Sequence, residues 1–235
     1  MLVPTGVAAA ILIWFSAVAA QPAIDLELVL AVDGSGSVSG SLFALELDGH
    51  AAAFRDPMVV EAIRAGRHGR IAVTLVQWSD PTTQEVLVPW TVIADTGSSE
   101  AFAAAIDAAP RVERAGSTGI GAALLQAATL FPAADPAPRR VIDVVGNGYN
   151  NAGILPEIAR DRVVGEGITI NGLVILDDVP WLSTYFAERV IGGFGAFVQS
   201  VDDRSGFVQA IADKLKREIA DPAGRVTGAI HRPPG

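Results

Sequence analysis

Apolar and polar positions follow two regimes along this chain. Ile24 to Val32, Arg70 to Trp78, Arg139 to Val145, Ile168 to Leu176 and Ala196 to Val201 are short, largely apolar runs. They read as strands covered on both faces, because a strand with one wet face would alternate. Between them the period becomes helical. In Ser41 to Phe54, the residues Phe43, Leu47, Ala51 and Phe54 fall at i, i+4, i+8 and i+11 and form one face, with His50 beside it as a packed, hydrogen-bonded histidine. Phe207, Ile211, Leu215 and Ile219 repeat the pattern in a last helix. Further helices are expected from Asp56-Pro57 to Ala65, with the proline at the first helical position, over Ser99 to Ala109 with Ser98 or Ser99 as cap, and over Thr118 to Phe131, Pro156 to Val164 and Trp181 to Ile191. Gln84 to Trp90 follows Trp78 after a turn too short for a crossover, so those two strands should be antiparallel with the second at an edge. The alternation predicts an α/β fold: a doubly wound, mostly parallel six-stranded sheet with one antiparallel edge strand and helices on both faces.

The first strand ends in a different chemistry. Leu28 to Ser37 reads L-V-L-A-V-D-G-S-G-S, so a buried run opens into a tight polar loop at a strand's carboxyl end. Ligands of open α/β sheets bind at that edge. Asp33, Ser35 and Ser37 offer one carboxylate and two hydroxyls on a glycine-flexed turn, a set suited to a small hard cation such as Mg²⁺.

The same residues carry a resemblance. Asp33-Gly34-Ser35-Gly36-Ser37 resembles the D-x-S-x-S signature of von Willebrand factor A-type (VWA) domains, whose metal-ion-dependent adhesion site adds a threonine and an aspartate from two later loops. Gly116-Ser117-Thr118-Gly119-Ile120-Gly121 is similar to the threonine loop, and Val144-Val145-Gly146-Asn147-Gly148 to the loop that usually carries the aspartate; here that position is Asn147. With Asp48 to Arg55, Ile71 to Thr74, Gln77-Trp78-Ser79, Val88 to Thr91 and Asn150 to Gly153, the chain resembles an exported bacterial VWA-like family of unknown function. The resemblance implies a VWA or Rossmann-like fold over residues 24–219 and a metal site of Asp33, Ser35, Ser37, Thr118 and Asn147. That site would hold Mg²⁺ or Mn²⁺ weakly, one carboxylate being absent. It would bind, through the metal, an acidic side chain of a partner protein, as an adhesion-type domain and not an enzyme. The alternatives are a metal-free structural or interaction domain and a nucleotide-dependent enzyme.

Composition narrows these readings. The chain of 235 residues is half hydrophobic, enough for one large domain. It has no cysteine, which removes disulfides, thiolate metal sites and a cysteine nucleophile, and its formal charge of -9 disfavours nucleic acid and anionic lipid as partners. Gly34, Gly36 and Gly40 miss the dinucleotide fingerprint by one residue, and Asp33 would repel a pyrophosphate there. Ser35 and Ser37 lack the flanking pattern of a nucleophile elbow, and His50, His68 and His231 sit in no recognisable base position. Asp143, four residues before Asn147, lies roughly 13 Å down its strand at about 3.3 Å per residue and cannot share an ion with it; a buried acid bonded to backbone or a neighbouring side chain is expected. Asp177-Asp178 reads as an exposed turn, and Asp80 as a hairpin-turn residue.

Val7 to Ala20 is apolar apart from Ser16 and ends in small residues before Gln21-Pro22. This is a signal-peptide pattern over residues 1–20, with export to the periplasm or medium, no membrane contact after cleavage, and a disordered tail over 221–235. Amino-terminal sequencing of the exported protein is expected to start at Gln21. An intact Met1 in the membrane fraction would show an uncleaved anchor instead.

Overall fold

The strands are β1 (Leu26–Asp33), β2 (Ile71–Trp78), β3 (Gln84–Ile93), β4 (Arg140–Gly146), β5 (Thr169–Ile175) and β6 (Val198–Val201). They form one sheet ordered β3-β2-β1-β4-β5-β6, in which every pairing is parallel except β2 with β3. The computed structural model describes residues 23–111, 116–133, 137–176, 179–202 and 206–220. The expected leader, the tail, His231 and Asp177-Asp178 lie outside the described residues.

β1 is buried at all its positions, its acids Glu27 and Asp33 included, as a largely apolar central strand demands. Its Leu26, Leu28, Leu30 and Val32 enter one core layer with α1 (Gly40–Arg55), α2 (Pro57–Arg64), α3 (Thr96–Asp107) and α7 (Phe207–Ile219). Val29 and Ala31 enter the other with α4 (Ile120–Ala128), α5 (Pro156–Gly165) and α6 (Leu182–Tyr185). β3 is the antiparallel edge strand, half exposed, and it tolerates Pro89 because an edge leaves some backbone donors unpaired; β6 forms the other edge. From β1 the strand order runs outward in both directions, so the crevice between the carboxyl ends of β1 and β4 is the switch point where such sheets bind ligands.

Local chemistry moved several boundaries. α3 starts at Thr96, not at Ser99, because Asp95 caps it: Ser98 N donates to Asp95 Oδ1 at 2.7 Å while the Ser98 hydroxyl reaches back to the Asp95 backbone, a reciprocal capping box. Ser99 instead turns inward, its hydroxyl donating to the Phe54 carbonyl at 2.5 Å. α4 starts at Ile120, leaving Thr118 in the loop, since Gly119 is non-helical and donates its N–H to the Ser79 carbonyl at 2.8 Å. The helix expected over Trp181 to Ile191 is a short α segment followed by a π turn, Phe186–Val190. As expected, His50 is packed, with Nδ1 2.7 Å from the Glu46 carbonyl. Asp80 stays within its turn, accepting from Thr82 N at 2.8 Å.

Midway along β4, below the crevice, Asp143 is a buried acid with a side-chain partner. Lys214 of α7 reaches it at 2.5 Å and also contacts Glu218, whose carboxylate accepts from Asn171 Nδ2 at 2.9 Å. All four are at most 3% exposed. A buried ion cluster of this kind contributes little net stability, but removing its cation strands two acids in a dry interior. Lys214→Met is therefore expected to cost about 3–5 kcal/mol in urea unfolding. An unchanged midpoint would show that both carboxyls are already neutral in the folded protein.

Candidate metal site at the carboxyl edge

The polar loop after β1 folds on itself. Asp33 Oδ1 accepts from Ser35 N at 2.7 Å, a two-residue turn natural to aspartate, and the Ser35 and Ser37 hydroxyls stand 3.2 Å apart. Gly34 N donates to the Trp78 carbonyl at 2.7 Å and lies so close to Gln77 that a Cβ there would sit 2.1 Å from its amide nitrogen. That approach explains the glycine.

Two later loops dock on the first through polar contacts. Gly36 N donates to the Gly116 carbonyl at 3.0 Å, which brings the threonine loop alongside. Ser37 Oγ donates to Asn147 Oδ1 at 3.0 Å across 110 positions of sequence, which brings in the loop after β4. Asn150 and Asn151 tie the last two together: Thr118 N donates to Asn151 Oδ1 at 2.8 Å, Asn151 N to the Thr118 carbonyl at 2.9 Å, and Gly121 N to Asn150 Oδ1 at 3.2 Å. Asp33, Ser35, Ser37 and Asn147 thus form one contiguous hydrogen-bonded set, with Thr118, 6% exposed, on the adjoining loop.

Asp33 and Ser35 are fully buried, whereas Ser37 is exposed and Asn147 half-buried, so the cluster opens outward from its acid. Burial pushes the Asp33 carboxyl up to about 6, against the pull of the Ser35 hydrogen bonds, the Asn147 backbone and Arg111. Its second oxygen, Oδ2, faces the Gly146 backbone and has no hydrogen-bond partner. An unpartnered buried carboxylate oxygen beside hydroxyl and amide oxygens makes an all-oxygen donor set of the type hard dications take. It holds one carboxylate. Among the described residues, no group of three or more His, Cys, Asp or Glu side chains gathers as a metal site.

Two ionisable neighbours were not foreseen. Glu46 of α1 is fully buried with both carboxyl oxygens unpartnered, and burial together with the Asp33 charge pushes it well above the usual carboxylate range. Arg111 stands over Phe43 at 5.1 Å, donates to the Val38 carbonyl at 2.8 Å, and acts on both acids. A signal for Glu46 existed: it lies three residues after Phe43 and four after Leu42, on the buried face of its helix. Nothing local marked Arg111.

On the same edge, Tyr149 and Trp181 are half exposed with ring centroids 5.7 Å apart, and Tyr185 Oη accepts from Asn150 N at 3.1 Å. This aromatic group borders the loops that carry Thr118 and Asn147.

Solved structures share this fold. A proximal thread matrix protein from mussel byssus aligns with 16% identity and TM-score 0.59 over 85% of this chain and 49% of its own. The SpaC pilus adhesin of Lactobacillus rhamnosus GG aligns with 13% identity and TM-score 0.62 over 85% and 31%. A von Willebrand factor type A protein from Catenulispora acidiphila aligns with 17% identity and TM-score 0.53 over 84% and 42%. The mussel protein is also known with zinc in its MIDAS motif. The chain spans less than half the length of each of these proteins, and no curated protein matches it. A family model described as a protein of unknown function (DUF1194) matches residues 23–223, so the chain, with its VWA-type fold, belongs to that family.

Proposed function

We propose that this protein is an exported binding domain whose Asp33, Ser35, Ser37, Thr118 and Asn147 hold Mg²⁺ or Mn²⁺ weakly and meet an acidic side chain of a partner protein. The observation that carries this reading is the union of three loops, distant in sequence, around a buried carboxylate with an unpartnered oxygen. Ser35 and Ser37 would present hydroxyl oxygens from one side and Asn147 its amide oxygen from the other, while Asp33 supplies the charge at the base. A dication bound there would offer an open position to a carboxylate from outside. The partly exposed Tyr149 and Trp181 would add apolar contact area at the rim. With Asn147 in place of an aspartate, the partner's carboxylate supplies charge the site lacks, so it raises affinity for the cation by the same factor as the cation raises affinity for the partner. The mussel and pilus neighbours support a binding role by fold alone. Arg111 beside the acids favours a second reading, a metal-free interaction domain in which that guanidinium is the lasting counter-charge.

Asn147→Asp should tighten Mg²⁺ binding about ten- to a hundredfold, a net 1–3 kcal/mol after dehydration of the added carboxylate, in calorimetry at fixed ionic strength. Equal binding by variant and wild type would put position 147 outside the coordination sphere. Asp33→Ala and Thr118→Ala should each lose the Mg²⁺ signal while keeping the circular dichroism of the fold; loss of folded signal would make the residue structural.

The buried acid also ties stability to pH. Because the folded Asp33 carboxyl lies near 6 against 3.8 ordinarily, the native chain holds that proton more tightly than the unfolded chain. Ionisation thus opposes folding: the cost is absent below about pH 4, grows between about 4 and 6, and is complete above, on the order of 3 kcal/mol. In EDTA at neutral pH, Asp33→Asn should be more stable than wild type in urea unfolding, and the difference should vanish near pH 4. A variant no more stable than wild type at pH 7 would show that Asp33 ionises without cost.

A further inference from the structure

A second cleft, of about 570 Å³, opens at the other end of the sheet, between the carboxyl-terminal turn of α7, the starts of β4 and β5 and the segment before β6. Its volume falls within the usual range for small-molecule pockets. Arg140 and Arg217 line it in a chain of net charge -9, together with Arg139, which caps the end of α7 by donating to the Ile219 carbonyl at 3.2 Å. That contact offsets the negative end of the helix, which would otherwise repel an anion there.

The arginine that faces solvent is prepared for a ligand. The Arg217 guanidinium carbon lies over the Phe197 ring, 3.7 Å from its centroid, and among the described residues it makes no ion pair with a carboxylate. A guanidinium stacked by its face keeps its in-plane N–H donors directed outward, in the fork that matches a carboxylate. Beside it Phe194 is 83% exposed, a large apolar side chain left in water at the rim. Glu218, 2% exposed, lines the cleft from below; one of its oxygens is held by Lys214 and Asn171, and the other has no partner.

We infer that this cleft binds a small organic monocarboxylate with an aromatic or branched apolar body, its carboxylate on the Arg217 fork and its body against the exposed Phe194. A monoanion suits the local charge. Arg139, Arg140, Arg217 and Lys214 stand against Asp143, Glu27 and Glu218, a small positive excess that a doubly charged phosphate would meet with those acids at its back. Burial pushes the Glu218 carboxyl up to about 7, against the pull of Lys214 and Asn171, which lessens the negative charge an anion meets beneath Arg217. The cleft shares no residue with the metal site at the carboxyl edge and stands or falls independently of it.

The test is calorimetry of the purified protein with phenylacetate as probe and phenylacetamide as its neutral counterpart. Phenylacetate should bind saturably, one per chain, and phenylacetamide at least about tenfold more weakly, the loss of a charge-assisted bidentate contact. Arg217→Ser should weaken phenylacetate by a similar factor. Lys216→Ser removes the same charge from the neighbouring position, outside the cleft, and should change affinity by no more than about twofold, as screened surface charge does. Both substituted side chains are at least partly exposed, and an unaltered melting curve confirms that the variants fold. Absence of saturable phenylacetate binding to wild type, equal binding of the amide, or equal loss in the two variants would overturn the assignment.

Discussion

The carboxyl edge of this protein depends on one carboxylate taken out of water. Asp33 ends a strand that is buried throughout, and its own loop shields it from solvent. Burial raises the free energy of its charged form, and the nearby hydrogen bonds from Ser35 recover part of that cost. The rest is an unmet demand for positive charge. Arg111 answers some of it from outside, while the Asp33 charge helps push the buried Glu46 carboxyl of α1 upward. An arrangement that is unfavourable by itself and would become favourable with a cation is the cost that the proposed site would place on the fold.

The crevice and the interior below it handle buried charge differently. At the crevice, the acids lack a direct ion-pair partner within the described residues, and the neighbouring oxygens belong to hydroxyls and an amide. Midway along β4, Lys214 sits between Asp143 and Glu218 and meets their charge internally. The first geometry leaves capacity for something from outside; the second fixes how α7 lies on the sheet. The positive excess of the lower cleft comes from arginines arranged around that closed cluster, beyond its own charges.

Much of the plan was legible without coordinates. The buried strands, the antiparallel edge and the turn after β1 follow from apolar runs, a short connection and the backbone habits of Asp, Gly and Ser, all of which act within a few residues. Helix starts were read less well, because several polar residues compete for a cap: Asp95 displaced Ser98 and Ser99, and Gly119 held Thr118 in the loop. Glu46, Lys214 and Glu218 occupy helix positions spaced like the apolar residues around them, a pattern that announces burial but names no partner.

The sequence alone therefore determined which segments are strands and helices and that an acid with two serines ends the first strand, because those outcomes rest on near-neighbour sterics and hydrogen bonds. Only the tertiary structure decided that Ser37 meets Asn147, that Glu46 and Arg111 share the Asp33 environment, that Lys214 serves Asp143, and that Arg217 stacks on Phe197. Those pairings depend on how far each helix sinks onto the sheet and in which rotation. Packing of the two core layers sets both, and no local stretch of chain encodes them.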